Sequence, residues 1–321
     1  MKYASVTDRV AGLGGAKWEL HLRAKAMVAA GQAIIMLSIG EPDVPPPPAL
    51  LRAATEGIAA GRTGYSNGRG EPRLLAALAA RYSARSGRAI GTDQILCLPG
   101  TQTALFAVLS ALVGHGDEVL TGDPMYATYE GVIAATGARM VPVPVDEEGI
   151  SVAAGLKLAP DFRLAFVTPA HQHPTGAEMS LRRRAELLAA ANRRDAWIIE
   201  DDYDGEFRFD GRPLPTLKSG DTAERVIYVG TFSKSMFPAL RLGFYVAPRP
   251  LVPAFRRISG AFLQGVPSSI QAVMAAFIEE GYFATHIRRM RDLYGERHEA
   301  FHAAAGRLRG LLEVGRRSRA G

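Results

Sequence analysis

Lys234 occupies a short polar turn between two apolar runs with strand character, Arg225–Phe232 and Leu240–Ala247. An amine at the lip of a buried site can be desolvated into its neutral, nucleophilic form, which Schiff-base chemistry requires. Seven residues on, past Pro238, stands Arg241. Its guanidinium, with the hydroxyls of Thr231 and Ser233, has the donor set for a phosphate beside that amine. A lysine in a loop is ordinarily a solvated surface group. The rest of the chain must therefore supply the other partners.

Several stretches can. Asp201, Asp202 and Tyr203 follow the apolar run Ala196–Glu200. A buried carboxylate at a strand end can keep a pyridine nitrogen protonated, as an electron-sink ring requires, and Asp201 and Asp202 compete for that role. Gly100-Thr101-Gln102 lies between the strand Gln94–Pro99 and the helix Thr103–Val113. Free backbone N–H groups at such a turn favour an anion. Tyr126, after the strand Glu118–Thr121, offers an aromatic face for stacking. The loop Pro169–Gly176 carries His171 and His173, with no acidic or cysteine partner at ligand spacing, so no metal is expected there.

Alternating strand and helix patterns must position these groups. Helices are expected over 16–31, 48–61, 71–86, 127–137 and 180–194, and strands over 34–39, 139–143 and 163–168. Four prolines at 45–48 mark an extended crossing segment after Gly40. Repetition over some 150 residues points to an α/β fold, a mainly parallel sheet between helices. The link from Asp201 to Lys234 reads as helix-free, with one intervening strand. Beyond Pro248 the pattern turns helical, over 251–263 and then 268–309 with a break at Gly281. Leu311–Val314 could begin a further strand.

The chain of 321 residues is 47% hydrophobic and 22% charged, which is ordinary for a globular protein. It has no apolar run long enough to span a bilayer and no signal-peptide pattern, so a cytoplasmic protein without a membrane partner is expected. One cysteine, Cys97, excludes a disulfide framework and reads as a small core residue. The net charge of +6 is concentrated at the end, where residues 307–321 hold five arginines against Glu313. The nearly neutral remainder gives no reason to expect a nucleic-acid partner.

The string S-K-x-x-x-P-x-x-R-L-G over 233–243 resembles the internal-aldimine signature of fold-type I pyridoxal-phosphate enzymes. It is most similar to the class I/II aminotransferases and the aminotransferase-like domain of MocR-type regulators. S-I-G-E-P-D at 38–43 resembles the aminotransferase N-terminal arm, P-x-Y at 124–126 its ring-stacking element, and E-D-D-Y-D at 200–204 its aspartate element. Tyr65 and Gly70 match the family's Y-x-x-x-x-G spacing. The loop at 169–176 resembles N-P-T-G, with His173 in place of the asparagine, as in MocR-like H-Q-x-P-T-G.

The resemblance covers about residues 5–312 and implies a seven-stranded-type sheet with a partial small α+β domain. Implied boundaries are an arm at 1–45, a large cofactor domain at 46–250, and a linking helix with an incomplete small domain at 251–321. It also implies pyridoxal 5'-phosphate bound covalently to Lys234. Asp201 would hold the ring nitrogen, Tyr203 the phenolic O3′ with His173 as a further donor, and Tyr126 would stack on the ring. Arg241, Thr231, Ser233 and Gly100–Gln102 would cradle the phosphate. Gly40 would pass beside the substrate, and Tyr65 would reach the phosphate of a neighbouring subunit in a homodimer. The implied reaction moves an amino group between an amino acid and a 2-oxo acid. The alternatives are a non-catalytic MocR-like sensing domain, a pyridoxal-phosphate lyase, or an inactive homologue truncated before the small domain's carboxylate-binding arginine.

Overall fold

The apolar runs pair into one sheet. In a computed structural model that describes residues 2–13, 15–209, 215–263 and 265–308, its strands are β1 (Ile95–Leu98), β2 (Glu118–Asp123), β3 (Arg139–Asp146), β4 (Gly149–Ile150), β5 (Leu164–Val167), β6 (Trp197–Asp202), β7 (Val226–Thr231) and β8 (Gly243–Val246). The spatial order is β1-β8-β7-β6-β5-β2-β3-β4. Strands β3, β2, β5, β6 and β7 run parallel, while β8 runs antiparallel to both neighbours and β4 antiparallel to β3. The fold is α/β, with a mixed, mostly parallel sheet flanked by helices. It matches the expected seven-stranded type, with β4 added as a two-residue edge.

Both faces of the sheet are covered, so its central strands are apolar on both sides. Leu96 and Leu98 of β1, Leu164 and Phe166 of β5, Ile199 of β6, and Ile227 and Val229 of β7 belong to one core. That core also takes in residues of α5 (Thr101–Leu112), α6 (Thr128–Thr136) and α10 (Val252–Phe262). Ala165, Val167, Ile198 and Val226 alternate to the other face, toward α7 (Val152–Leu158) and α8 (Leu181–Arg193). There a further core joins Ile95 and Cys97 to residues of α4 (Pro72–Ser86), α11 (Ser268–Glu279) and α12 (Tyr282–Ala305). Cys97 is buried and unpaired, as expected of a small core residue.

Local chemistry sets the helix ends. Pro72 opens α4 and Gly87, left-handed at φ +67°, closes it. Ser180 caps α8 by accepting the Arg183 N–H. Gly281, at φ +77°, separates α11 from α12 where the sequence places the break. Among the described residues, no helix is long and apolar enough to cross a membrane.

Two expectations need correction. Residues 34–39 form no strand, and Ile35 and Leu37 are 87% and 86% exposed. An apolar β-prone run becomes a strand only beside an edge with free hydrogen-bonding groups, and no strand of the sheet pairs with it. The link between Asp201 and Lys234 is not helix-free. It holds the short helix α9 (Leu217–Gly220), whose first amides donate to the buried Glu200 carboxyl at 2.7 and 2.9 Å. The helix expected at 16–31 forms as α2 (Gly15–Ala29), and Trp18, Leu20 and Leu22 on it are exposed. The helices α1 (Ser5–Arg9) and α3 (Pro48–Ala59) complete the N-terminal part. Leu311–Val314 lies outside the described residues.

Candidate active site at the carboxyl edge of the sheet

Parallel α/β sheets place ligands outside the carboxyl ends of their strands, where loops diverge. Here β2 ends toward Tyr126, β5 toward the loop 169–176, β6 at Asp201–Tyr203, and β7 at Thr231–Lys234. The sheet register adds the neighbouring ends, because Leu98 of β1 and Thr231 of β7 both pair with Gly243 of β8. Gly100, Arg241 and Thr231 therefore converge although they lie far apart in sequence.

Their contact is close. Arg241, at φ +48°, turns its guanidinium back over Gly100 and donates to the Pro99 carbonyl at 3.0 Å. A Cβ on Gly100 would lie 2.9 Å from Arg241 Cζ and push the guanidinium aside, and the φ of +83° at Gly100 itself favours glycine. Gly100 precedes α5 directly, which leaves the first amides of the helix, at Thr101 and Gln102, free of intrahelical partners. The Thr231 hydroxyl donates to the Ser233 hydroxyl at 3.1 Å and accepts the Ser233 amide at 3.1 Å. The edge thus gathers an arginine, two hydroxyls and a helix start.

Lys234 is half-buried in the turn after β7, and its Nζ donates to the carbonyl of Gly40. The segment that carries Gly40 thereby meets the lysine. From the other side, His286 of α12 donates its Nε2 hydrogen to the carbonyl of Ser235 at 3.0 Å, since a carbonyl can only accept. Burial lowers the proton affinity of that imidazole, in keeping with a neutral donor.

The two competing aspartates are separated by strand alternation. Asp202 points to the α4 side, where it accepts from Arg85 at 2.8 Å, Tyr228 at 2.6 Å and the Gly205 amide at 2.9 Å. Both its oxygens are taken. Asp201 lies on the opposite face, and its Oδ2 accepts from the Tyr129 hydroxyl at 2.6 Å. Its Oδ1 is buried without any hydrogen-bond partner. Burial pushes the Asp201 carboxyl up to about 7; the Tyr129 bond opposes that rise, and the nearby Asp202 and Asp204 charges add to it. A buried, bare carboxylate oxygen of this kind requires a donor, and a protonated ring nitrogen is one.

Aromatic groups line the same region. The Tyr126 ring stands edge-on to His173 at 5.2 Å and to Tyr129 at 5.5 Å. His173 in turn stands 6.3 Å from Tyr203. The Tyr203 hydroxyl donates to the carbonyl of His171 at 3.1 Å. Tyr65 is the exception. It is 98% exposed on its loop and touches none of these groups within one chain.

The bare Asp201 Oδ1 and the donors around Gly100 and Arg241 are of the types that a protonated pyridine nitrogen and a phosphate would need. Sequence reasoning missed Tyr129, His286 and the Asp204 partner of His171. Tyr129 lies one helical turn beyond Tyr126, a spacing that ordinary helix packing produces equally well.

The class I and II aminotransferase family model matches residues 32–314. The chain belongs to that family. Its members depend on pyridoxal phosphate. Over 244 residues the chain is 43% identical to the probable rhizopine catabolism regulatory protein MocR of Rhizobium meliloti, spanning 76% of this chain and 49% of that protein. It is 34% identical over 308 residues to the arginine–pyruvate transaminase AruH of Pseudomonas aeruginosa, covering 93% of this chain and 77% of AruH. The chain therefore spans about half the length of MocR and about three quarters of AruH. An archaeal alanine:glyoxylate aminotransferase superimposes with a TM-score of 0.82 at 27% identity, over 88% of this chain and 72% of that one. The aspartate aminotransferase from Thermus thermophilus with maleate shares the fold at a TM-score of 0.90 and 21% identity, over 99% and 83% of the two chains.

Proposed function

We propose that the chain is the pyridoxal-phosphate-binding part of an aminotransferase that moves an amino group between an amino acid and a 2-oxo acid. The observation that carries this reading is the bare, buried Oδ1 of Asp201 on the same sheet edge as Lys234 and the Gly100–Arg241 cradle. When bound, the cofactor supplies an aldehyde that condenses with amines and a ring that takes up the electron pair released at the substrate Cα.

The protein's own groups divide the remaining work. Asp201 accepts the hydrogen of the ring nitrogen and keeps it protonated. Tyr126 would cover a ring face, and Tyr203 and His173 would serve the ring oxygen. Arg241, Thr231, Ser233 and the amides at Gly100–Gln102 hold the phosphate. The Lys234 amine attaches the cofactor and, once displaced by a substrate amine, carries the proton to and from the substrate Cα. Gly40 orients that amine through its carbonyl. In a homodimer, Tyr65 of a second copy adds to the phosphate site. The arm over 1–45, the cofactor domain over 46–250 and the segment from 251 belong to the same proposal.

A second reading is supported by the identity to MocR and the H-Q-x-P-T-G form of the loop: a sensing domain that binds the cofactor and an amino acid without turnover. Visible spectra with pyridoxal phosphate, before and after adding amino acids, separate the two. Conversion of the lysine-bound band to the pyridoxamine form supports transamination. A band that shifts and never converts supports sensing, and no band at all defeats both.

A further inference from the structure

The loop string H-Q-x-P-T-G contains a glutamine to which the proposed reaction gives no part. Gln172 lies on the loop after β5, and its side chain is buried. Its main chain closes that loop: the N–H donates to the Ala177 carbonyl at 2.8 Å, and the carbonyl accepts the Gly176 N–H at 2.7 Å. His173, edge-on to the Tyr126 ring, rides on the closed turn.

The Gln172 side chain reaches the other way, toward the end of β2. Its Nε2 donates to the Pro124 carbonyl at 2.8 Å, and its Oε1 accepts the Thr168 hydroxyl at 3.0 Å. The nitrogen must face Pro124, since a carbonyl can only accept. The amide lies across Gly122, where a Cβ would come within 2.5 Å of Nε2. Among the described residues, the pairing of β2 with β5 ends at Thr121 and Phe166. Beyond that register the Gln172 amide joins the two strand ends, at a carbonyl just ahead of Tyr126.

We propose that Gln172 is a positioning residue: its amide ties the turn that carries His173 to the turn that carries Tyr126, and so sets where both side chains meet a bound ring. This rests on the ring site proposed above. A buried amide bonded at both ends has one orientation, and a shift of either loop costs it a bond. Gly122 belongs to the same device, because any side chain there takes the space of the amide.

The test labels the protein with fluorotyrosine and follows the Tyr126 signal, assigned through Tyr126→Phe, without cofactor. Gln172→Glu keeps the shape and the bond from Thr168, but a carboxylate cannot donate to the Pro124 carbonyl. It should displace the Tyr126 signal. Gly122→Ala leaves Gln172 in the chain and should displace the same signal by pushing the amide aside. With Gln172→Ala already present, Gly122→Ala should add little. A Tyr126 signal indifferent to both Gln172→Glu and Gly122→Ala overturns the proposal, and so does lost stability without a displaced signal.

A cofactor measurement stands beside it. With pyridoxal phosphate, Gln172→Glu should weaken binding by roughly three- to tenfold and diminish the induced circular dichroism of the visible band. A displaced Tyr126 signal with unchanged affinity and dichroism also overturns the proposal, because the tie then does not act on the ring. A wild type with no visible band defeats the ring-site reading instead, and the fluorine signal still judges whether Gln172 holds the Tyr126 loop.

Discussion

The Tyr129 hydroxyl donates to Oδ2 of Asp201 at 2.6 Å, while Oδ1 of the same buried carboxyl accepts nothing. One oxygen is thus tethered, which fixes the direction of the other. In Tyr129→Phe the tether is lost and Asp201 keeps two unpaired oxygens, at a cost of about 1–3 kcal/mol. Pyridoxal-phosphate affinity, read from the visible band, should fall roughly tenfold or more. Unchanged affinity would show that Tyr129 does not orient Asp201.

Asp201 and Glu200 also set a pH dependence for the cofactor-free protein. Burial raises both carboxyls to about 7, from ordinary values of 3.8 and 4.5. Between about pH 4 and 7 the folded chain then binds more protons than the unfolded one, so stability is fullest below that window and declines as pH rises through it. The Asp201 share is on the order of 2–4 kcal/mol across the window. Melting temperature should drop from pH 5 to pH 8, and Asp201→Asn should flatten that drop.

Lys234→Ala tests the attachment point. The side chain is half-buried and, among the described residues, bonded only to the Gly40 carbonyl, so its removal should leave folding intact. Borohydride treatment with pyridoxal phosphate should fix the cofactor to wild type and not to the variant. Equal labelling of both would place the reactive amine elsewhere.

At Gly100 the backbone itself is decisive. Its φ of +83° and ψ of +164° lie in a region that side-chain-bearing residues rarely occupy, and a Cβ there would strike Arg241. Gly100→Ala should cost about 1–3 kcal/mol of stability and weaken binding of the phosphorylated cofactor more than of unphosphorylated pyridoxal. Adding Arg241→Ala relieves the clash but not the backbone strain, so stability should recover only in part.

The exposed Ile35, Leu37 and Tyr65, with Trp18, Leu20 and Leu22, give the N-terminal part an apolar surface that a second copy would cover. Sedimentation should show a dimer, and Ile35→Asp combined with Leu37→Asp should yield monomer. A wild-type monomer would remove Tyr65 from the phosphate site.

Much of the fold and part of the site were legible in the chain itself. Apolar runs such as Ala196–Glu200 and Arg225–Phe232 are strands because parallel strands buried on both faces need unbroken apolar sequence. Lys234, Arg241 and the anion-favouring Gly100 turn announced themselves by residue type within short strings, where spacing is enough. Those signals are local, so tertiary structure could only place them. The run 34–39 looked equally strand-like and is not one, because pairing depends on an available edge and not on the run.

What the sequence could not decide was every relationship made across strands. Asp201 and Asp202 are adjacent and chemically identical, and only the two faces of β6 give one a bare oxygen and the other three donors. Tyr129 and Asp201, or His171 and Asp204, meet because distant segments end on neighbouring strands. Burial then sets their proton affinities. Residue type and spacing determined which chemistry was on offer; the sheet's register and its two faces decided which atoms were left free to perform it.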